Sequence, residues 1–159
     1  MCYKHDEMSL PKQTLQEKFW KGKFGSNYIG RHKKNKWVKN NKYFFRKCFK
    51  NLNKKKIKTM IEFGPNNGLN LIALNSVLKL KKISAIEINK VAFNELKKLN
   101  YVSPTNKSVI DYIPKKKYDL VLSKGFLIHI NPNKLKKVYS NIYKSCKKNG
   151  HILICEYYN

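Results

Sequence analysis

Two glutamates close two apolar stretches of this chain, and a glycine turn lies between them. Glu62 ends KIKTMIEF immediately before Gly64-Pro65-Asn66-Asn67-Gly68, and Glu87 with Ile88 ends ISAIEI. A strand that enters a glycine turn and opens a helix offers a ligand backbone N–H groups and a positive dipole end. Gly64 permits the sharp turn, and Gly68 is expected to let helix and strand approach closely. Asn66 takes the middle position, and Asn is the non-glycine residue that best tolerates a left-handed backbone. A phosphate-cradling loop would end in Gly-Lys-Ser/Thr, and this turn has no such ending. A carboxylate at the first strand end repels a pyrophosphate and suits a cation, while one at the second accepts hydrogen bonds from ribose hydroxyls. A ribose on a cationic ligand points to S-adenosylmethionine as cofactor. The plain alternative is a strand–turn–helix with no ligand, and Glu87 weighs against it.

Three further groups have types suited to chemistry. His129 lies just beyond the apolar run Tyr118–Leu122 and is the best-placed titratable group. Its ordinary pKa of about 6.5 suits a base that takes a proton from a hydroxyl acceptor. A histidine that caps a buried helix or bonds to Asp119 fits the same position equally well. Tyr28 and Arg31 are three residues apart, so they share a helix face and can reach a carboxylate. Ser123-Lys124-Gly125-Phe126 stands where enzymes that methylate nucleobase amines carry Asn/Asp-Pro-Pro-Tyr/Phe, which argues against that substrate.

The elements that must hold these residues follow from periodicity. Ile57–Phe63, Ile83–Ile88, a weak run over Tyr101–Lys107, Tyr118–Leu122 and His151–Glu156 read as strands. Helices are expected over Trp37–Leu52, after Gly68 through Leu74, over Lys90–Leu99, and, opened by Pro132, over Asn133–Lys147, where Gly150 stops the last. Thr14-x-x-Glu17 resembles a capping box that opens an N-terminal helix. Strands alternating with helices predict an α/β fold with a parallel sheet and a ligand at the carboxyl strand ends. The expected organisation is one compact domain, with residues 1–55 as a helical cap segment and 56–159 as the α/β core. Residues 1–12 are polar and are expected to be loose.

Composition sets outer bounds. The chain has 35 basic and nine acidic residues, a net charge of +26. Such a charge suggests nucleic acid. Yet only Arg31 and Arg46 are arginines, and 19 residues are asparagine. Phosphate recognition favours the arginine fork, so a solvated lysine surface is the preferred reading over a nucleic-acid groove. Cys2, Cys48, Cys146 and Cys155 lack metal or redox spacing, so no metal is expected. No run approaches the length of a membrane span, and no signal peptide is legible, so cytoplasmic residence is the default expectation.

FWKGKFGSNYIGRH, IEFGPNNGLNLIAL, AIEINKVAFNEL, SVIDY, YDLVLSKGFLIHINPNKLKKVY and ILICEYYN together resemble the pseudaminic acid biosynthesis-associated methylases. These are class I methyltransferase-like proteins of nonulosonic acid sugar pathways. The likeness runs from about Phe19 to Asn159, with Asn66 in place of a central glycine. The resemblance implies a Rossmann-like three-layer sandwich, here without the family's last two strands. It implies methyl transfer from S-adenosylmethionine to a small-molecule, sugar-type acceptor. An RNA or DNA methyltransferase and a non-catalytic S-adenosylmethionine-binding protein are the alternatives. It places Glu62, Gly64 and Gly68 at the methionine end and Glu87 at the ribose, with Asn89 shaping the turn beside it. Ser108 falls where relatives carry the aspartate that meets the adenine amino group, and Val109 offers its N–H to the ring. Ser123 and Lys124 would present carbonyls near the methionine amino group, and Tyr28 and Arg31 would meet its carboxylate. The apolar run Ile152–Cys155 would then be an open edge, for which a second copy of the chain is the expected partner.

Overall fold

The computed structural model describes residues 13–31 and 33–157; the expectations for residues 1–12 and for Cys2 fall outside that range. Five strands form one sheet: β1 (Thr59–Phe63), β2 (Lys82–Glu87), β3 (Val102–Asn106), β4 (Tyr118–Lys124) and β5 (Cys146–Cys155). Their order is β3-β2-β1-β4-β5, and every neighbouring pair is parallel. The chain therefore starts at the centre, steps outward through β2 and β3, then returns to β4 on the other side of β1. That reversal opens a crevice at the carboxyl ends of β1 and β4, where ligands of open α/β sheets bind.

Alternation along β1 builds the two layers. Met60 faces a core formed with Phe45, Phe49, Leu71 and Leu74, while Ile61 and Phe63 face one formed with Val109, Val138 and Ile142. A central strand buried on both faces explains why its apolar residues run almost without interruption. The first layer comprises α3 (Lys34–Cys48), α4 (Leu69–Leu78) and α5 (Lys90–Lys97), and α6 (Pro132–Lys144) covers the second. Glu62 points into the first layer, which decides its neighbours.

The N-terminal segment forms α1 (Leu15–Lys21) and α2 (Lys23–Tyr28), broken at Gly22. The expected capping box is present: the Glu17 N–H donates to Thr14 Oγ1 at 3.2 Å, and the Thr14 N–H donates to Glu17 Oε2 at 2.8 Å. Asn89 ties this segment to the sheet. Its Oδ1 accepts from the Val91 and Ala92 N–H groups and caps α5, while its Nδ2 donates to the Trp20 carbonyl at 3.0 Å and to Ser26 Oγ at 3.2 Å.

The last helix and strand meet earlier than their sequence suggests. α6 stops at Lys144 because Ser145 turns back on it, its Oγ donating to the Asn141 carbonyl at 2.7 Å. Gly150, expected to stop that helix, lies inside β5. A Cβ there would sit 2.8 Å from Cys146 Sγ and 2.9 Å from the Tyr118 carbonyl oxygen, so glycine permits the strand to cross its neighbour at the register shift after Tyr118. Beyond it, Leu153 packs on the α3–α4 layer, whereas Ile152 and Ile154 on the other face are 40% exposed. Among the described residues no helix is long and apolar enough to cross a membrane.

Candidate functional site

A cavity opens at the carboxyl ends of β1, β2 and β4. Its base is the Gly64–Asn67 turn together with Ile86–Asn89. Ser108 and Val109 wall one side, and Lys124, Gly125 and Phe126 wall the other. Glu17, Trp20 and Tyr28 roof it from α1 and α2, with Trp37 and Asn41 from α3. The N-terminal segment thus encloses a site whose base belongs to the sheet.

The turn has the expected left-handed geometry, with positive φ at Gly64 (68°), Asn66 (52°) and Gly68 (81°). A Cβ at Gly64 would lie 2.0 Å from Phe126 Cδ2, so glycine here admits the ring that follows β4. A Cβ at Gly68 would lie 2.8 Å from Leu96 Cδ2 and 3.0 Å from Leu99 Cδ1. Its close approach is therefore to α5 and to Leu99, two residues past its end, a correction to the helix–strand contact read from sequence.

Glu87 stands at the lip of β2. Its Oε2 accepts the Asn66 N–H at 2.9 Å and its Oε1 the Asn89 N–H at 2.8 Å. With the Ile88 N–H also bonding to it, the carboxylate has about three of its four lone pairs engaged and keeps about one for a ligand donor. Burial pushes its pKa upward, and the N–H bonds from Asn89, Asn66 and Ile88 oppose that shift.

Glu62 is fully buried behind the turn and does not line the cavity. Asn70 Nδ2 donates to its Oε1 at 2.7 Å, and Asn41 Nδ2 donates to Asn70 Oδ1 at 2.8 Å. Asn41 and Asn70 both line the cavity, so this chain of amides carries the influence of Glu62 to the ligand space. Glu62 Oε2 and Asn66 Oδ1 are buried without a protein partner. Desolvation pushes the Glu62 pKa up to about 8, against the Asn70 hydrogen bond and the nearby Lys124 charge. The folded state then keeps a proton that the unfolded chain releases. This contribution is complete below the ordinary carboxylate pKa of about 4.3 and is lost as pH rises towards about 8. Denaturant unfolding followed from about pH 5 to about pH 9 should fall less steeply in Glu62→Gln, by up to ~1.4 kcal/mol per pH unit. Parallel curves for the two proteins would remove Glu62 as the source.

Ser108 gives its hydroxyl hydrogen to Glu17 Oε1 and accepts the Ile110 N–H at 3.1 Å. The Val109 carbonyl accepts from Asn141 Nδ2 at 2.8 Å. Ser123 is buried outside the cavity lining, with its Oγ unpartnered. Lys124 lines the cavity and lies 5.6 Å from the Trp37 ring and 5.8 Å from that of Phe44. Tyr28 also lines it, but Arg31 does not: its guanidinium lies 5.2 Å from the Tyr28 ring, facing an adjoining groove.

That groove is walled by Leu15, Phe19, Phe24, Arg31 and Ile128, and shares Gln16, Trp20, Tyr28 and His129 with the cavity. Phe19 and Phe24 stack at 4.1 Å, and the His129 ring lies 4.4 Å from that of Trp20. His129 sits in a single 3-10 turn, Leu127–His129, whose entry is fixed by Glu156. Glu156 Oε1 accepts the Phe126 N–H at 3.2 Å and the Leu127 N–H at 3.0 Å. Burial lowers the His129 pKa, partly offset by the charge of Glu156. Asp119 is committed at the opposite end of the strands. It accepts from the Lys58 and Thr59 N–H groups, Thr59 Oγ1 and Lys147 Nζ. Burial alone would raise its pKa, yet these bonds hold it at about 2. A partnership between Asp119 and His129 is thereby ruled out.

Sequence reasoning missed Asn41 and Asn70, whose only signal was a polar residue interrupting an apolar helix face. Glu17 was legible as a cap and not as a lining residue.

No family model matches the chain, and no curated protein matches it. Solved structures do. The plantazolicin methyltransferase BpumL in complex with SAH aligns over 87% of this chain and 56% of its own, at TM-score 0.68 and 16% identity. The sugar N-methyltransferase KedS8 from Streptoalloteichus sp. aligns over 99% of this chain and 61% of its own, at TM-score 0.62 and 12% identity. CalS10 from Micromonospora echinaspora, an amino pentose methyltransferase solved with SAM, aligns over 84% and 55%, at TM-score 0.63 and 7% identity. The chain spans roughly 55–61% of the length of these three proteins. At such identities the likeness is one of fold: this chain has the Rossmann-like architecture of S-adenosylmethionine-dependent methyltransferases.

Proposed function

We propose that the chain binds S-adenosylmethionine in the cavity and serves methyl transfer to a small, sugar-type acceptor held in the aromatic groove. The observation that carries this reading is Glu87, a buried carboxylate at the end of β2 with acceptor capacity left after its backbone N–H bonds. Two adjacent ribose hydroxyls can both donate to one such carboxylate.

The other groups present fit the same molecule. Asn66 lines the cavity, and its Oδ1 is buried without a protein partner. Glu62 Oε2, also unpartnered, lies behind the turn, where a cationic methionine end would favour the ionised carboxylate. Ile86, Ile88, Ala92 and Val109 supply apolar surface for the flat base.

The bound cofactor supplies an electrophilic sulfonium methyl group. The chain's own residues orient the acceptor, exclude water and hold its proton. Trp20, Tyr28 and His129 face both spaces, so an acceptor in the groove meets the cofactor across them. Phe19 and Phe24, stacked on one another and partly exposed, line the groove with aromatic surface suited to the apolar C–H face of a sugar. His129, kept neutral by burial, takes the proton that a hydroxyl acceptor loses. The fold neighbours that methylate a sugar and an amino pentose support this acceptor class, as does the resemblance to the pseudaminic acid methylases. The test is methyl transfer from isotopically labelled S-adenosylmethionine to a panel of sugar nucleotides and nonulosonates, with RNA and DNA as the contrasting arm. Label in a sugar supports the proposal, and label in nucleic acid alone overturns it.

A further inference from the structure

The N-terminal helix supplies a carboxylate to the cavity that its role as a cap does not require. The capping box uses Glu17 Oε2, which accepts from the Thr14 N–H at 2.8 Å and Thr14 Oγ1 at 2.9 Å. A capping glutamate usually remains at the surface. Glu17 is only 8% exposed, and its other oxygen, Oε1, accepts from Ser108, 91 residues along the chain.

Ser108 cannot serve as the main polar contact at this wall. Its single hydrogen goes to Glu17, and its oxygen already accepts the Ile110 N–H. The hydroxyl therefore positions the carboxylate, and the carboxylate is the stronger acceptor facing the ligand. Glu17 Oε1 retains one lone pair. Beside it, Val109, Ile88 and Ala92 form an apolar wall suited to a flat heterocycle. The only groups that can satisfy an additional carboxylate lone pair are donors, and the edge of adenine offers one in its exocyclic amino group.

We propose that Glu17 is the base-selecting residue of the cofactor site, its Oε1 accepting from the adenine 6-amino group. The loop after β3 ends in a serine, and the carboxylate comes from α1 instead. This rests on the cofactor reading above. It ties base recognition to the docking of α1 and α2, the segment Asn89 pins to the sheet. A hypoxanthine base carries a carbonyl at the same place, so it would set an acceptor against the carboxylate and be rejected.

Calorimetric titration with S-adenosylhomocysteine and S-inosylhomocysteine tests this in wild type, Glu17→Gln and Thr14→Ala. Wild type should prefer the adenosyl ligand by at least about tenfold. In Glu17→Gln the side-chain amide can donate to a carbonyl, so the preference should shrink by about tenfold or invert. Thr14→Ala removes the cap while keeping the carboxylate, and should retain the wild-type ratio of affinities even if it is less stable. An unchanged ratio in Glu17→Gln overturns the assignment, as does a ratio lost in Thr14→Ala. If wild type binds neither ligand, the cofactor reading itself fails, and this inference with it.

Discussion

Glu87→Ala should weaken S-adenosylhomocysteine binding at least about tenfold. Charge-assisted hydrogen bonds contribute about 1.5–3 kcal/mol each, and every 1.4 kcal/mol is a factor of ten in affinity. Two losses combine here. The ribose hydroxyls lose their acceptor, and the N–H groups of Asn66 and Asn89 lose the carboxylate that holds the turn and the start of α5 in place. Glu87→Gln separates the two, since its amide oxygen can still accept one N–H; its affinity should fall between wild type and alanine. Unchanged affinity in the folded alanine variant would place the cofactor elsewhere.

His129→Gln should lower turnover about 10²-fold while leaving S-adenosylhomocysteine affinity within about twofold. Glutamine preserves polar bulk beside Trp20, so loss of packing alone would not account for a drop of that size. The pH profile gives a second readout. Burial depresses the His129 pKa, so its base form persists to below the ordinary value of about 6.5, and kcat should decline only on the acid side of that value. The variant should lose this acid limb. Near-normal turnover in a stable His129→Gln protein would leave the ring a packing role against Trp20.

Local signals made the sheet legible. The apolar run of β1, the left-handed turn through Asn66 and the acids at strand ends are all encoded within a few residues. The boundary between α6 and β5 was not, because Ser145 ends the helix by bonding to its own previous turn, while Gly150 answers a steric demand from Tyr118 and Cys146. Within the site, Glu87 was readable because its position at a strand end fixes its direction. The Glu62–Asn70–Asn41 chain depends on how α3 packs against α4, and the reach of Glu17 depends on where α1 docks. Neither distance exists until the tertiary structure forms. Arg31 illustrates the converse: its spacing from Tyr28 placed the two together, but the helix ends at Tyr28 and Arg31 follows in a 3-10 turn, with its guanidinium at the groove rather than the cavity.

The central claim is that S-adenosylmethionine occupies the cavity beneath α1 and α2. The chain has two tryptophans, and both Trp20 and Trp37 line that cavity. Titrating the protein with S-adenosylmethionine while following intrinsic fluorescence therefore reads the site from two of its walls. The account predicts a saturable change in tryptophan emission, competed by S-adenosylhomocysteine and moved to at least about tenfold higher ligand concentration in Glu87→Ala. Emission that stays constant up to millimolar ligand, in a protein shown to be folded, would contradict it.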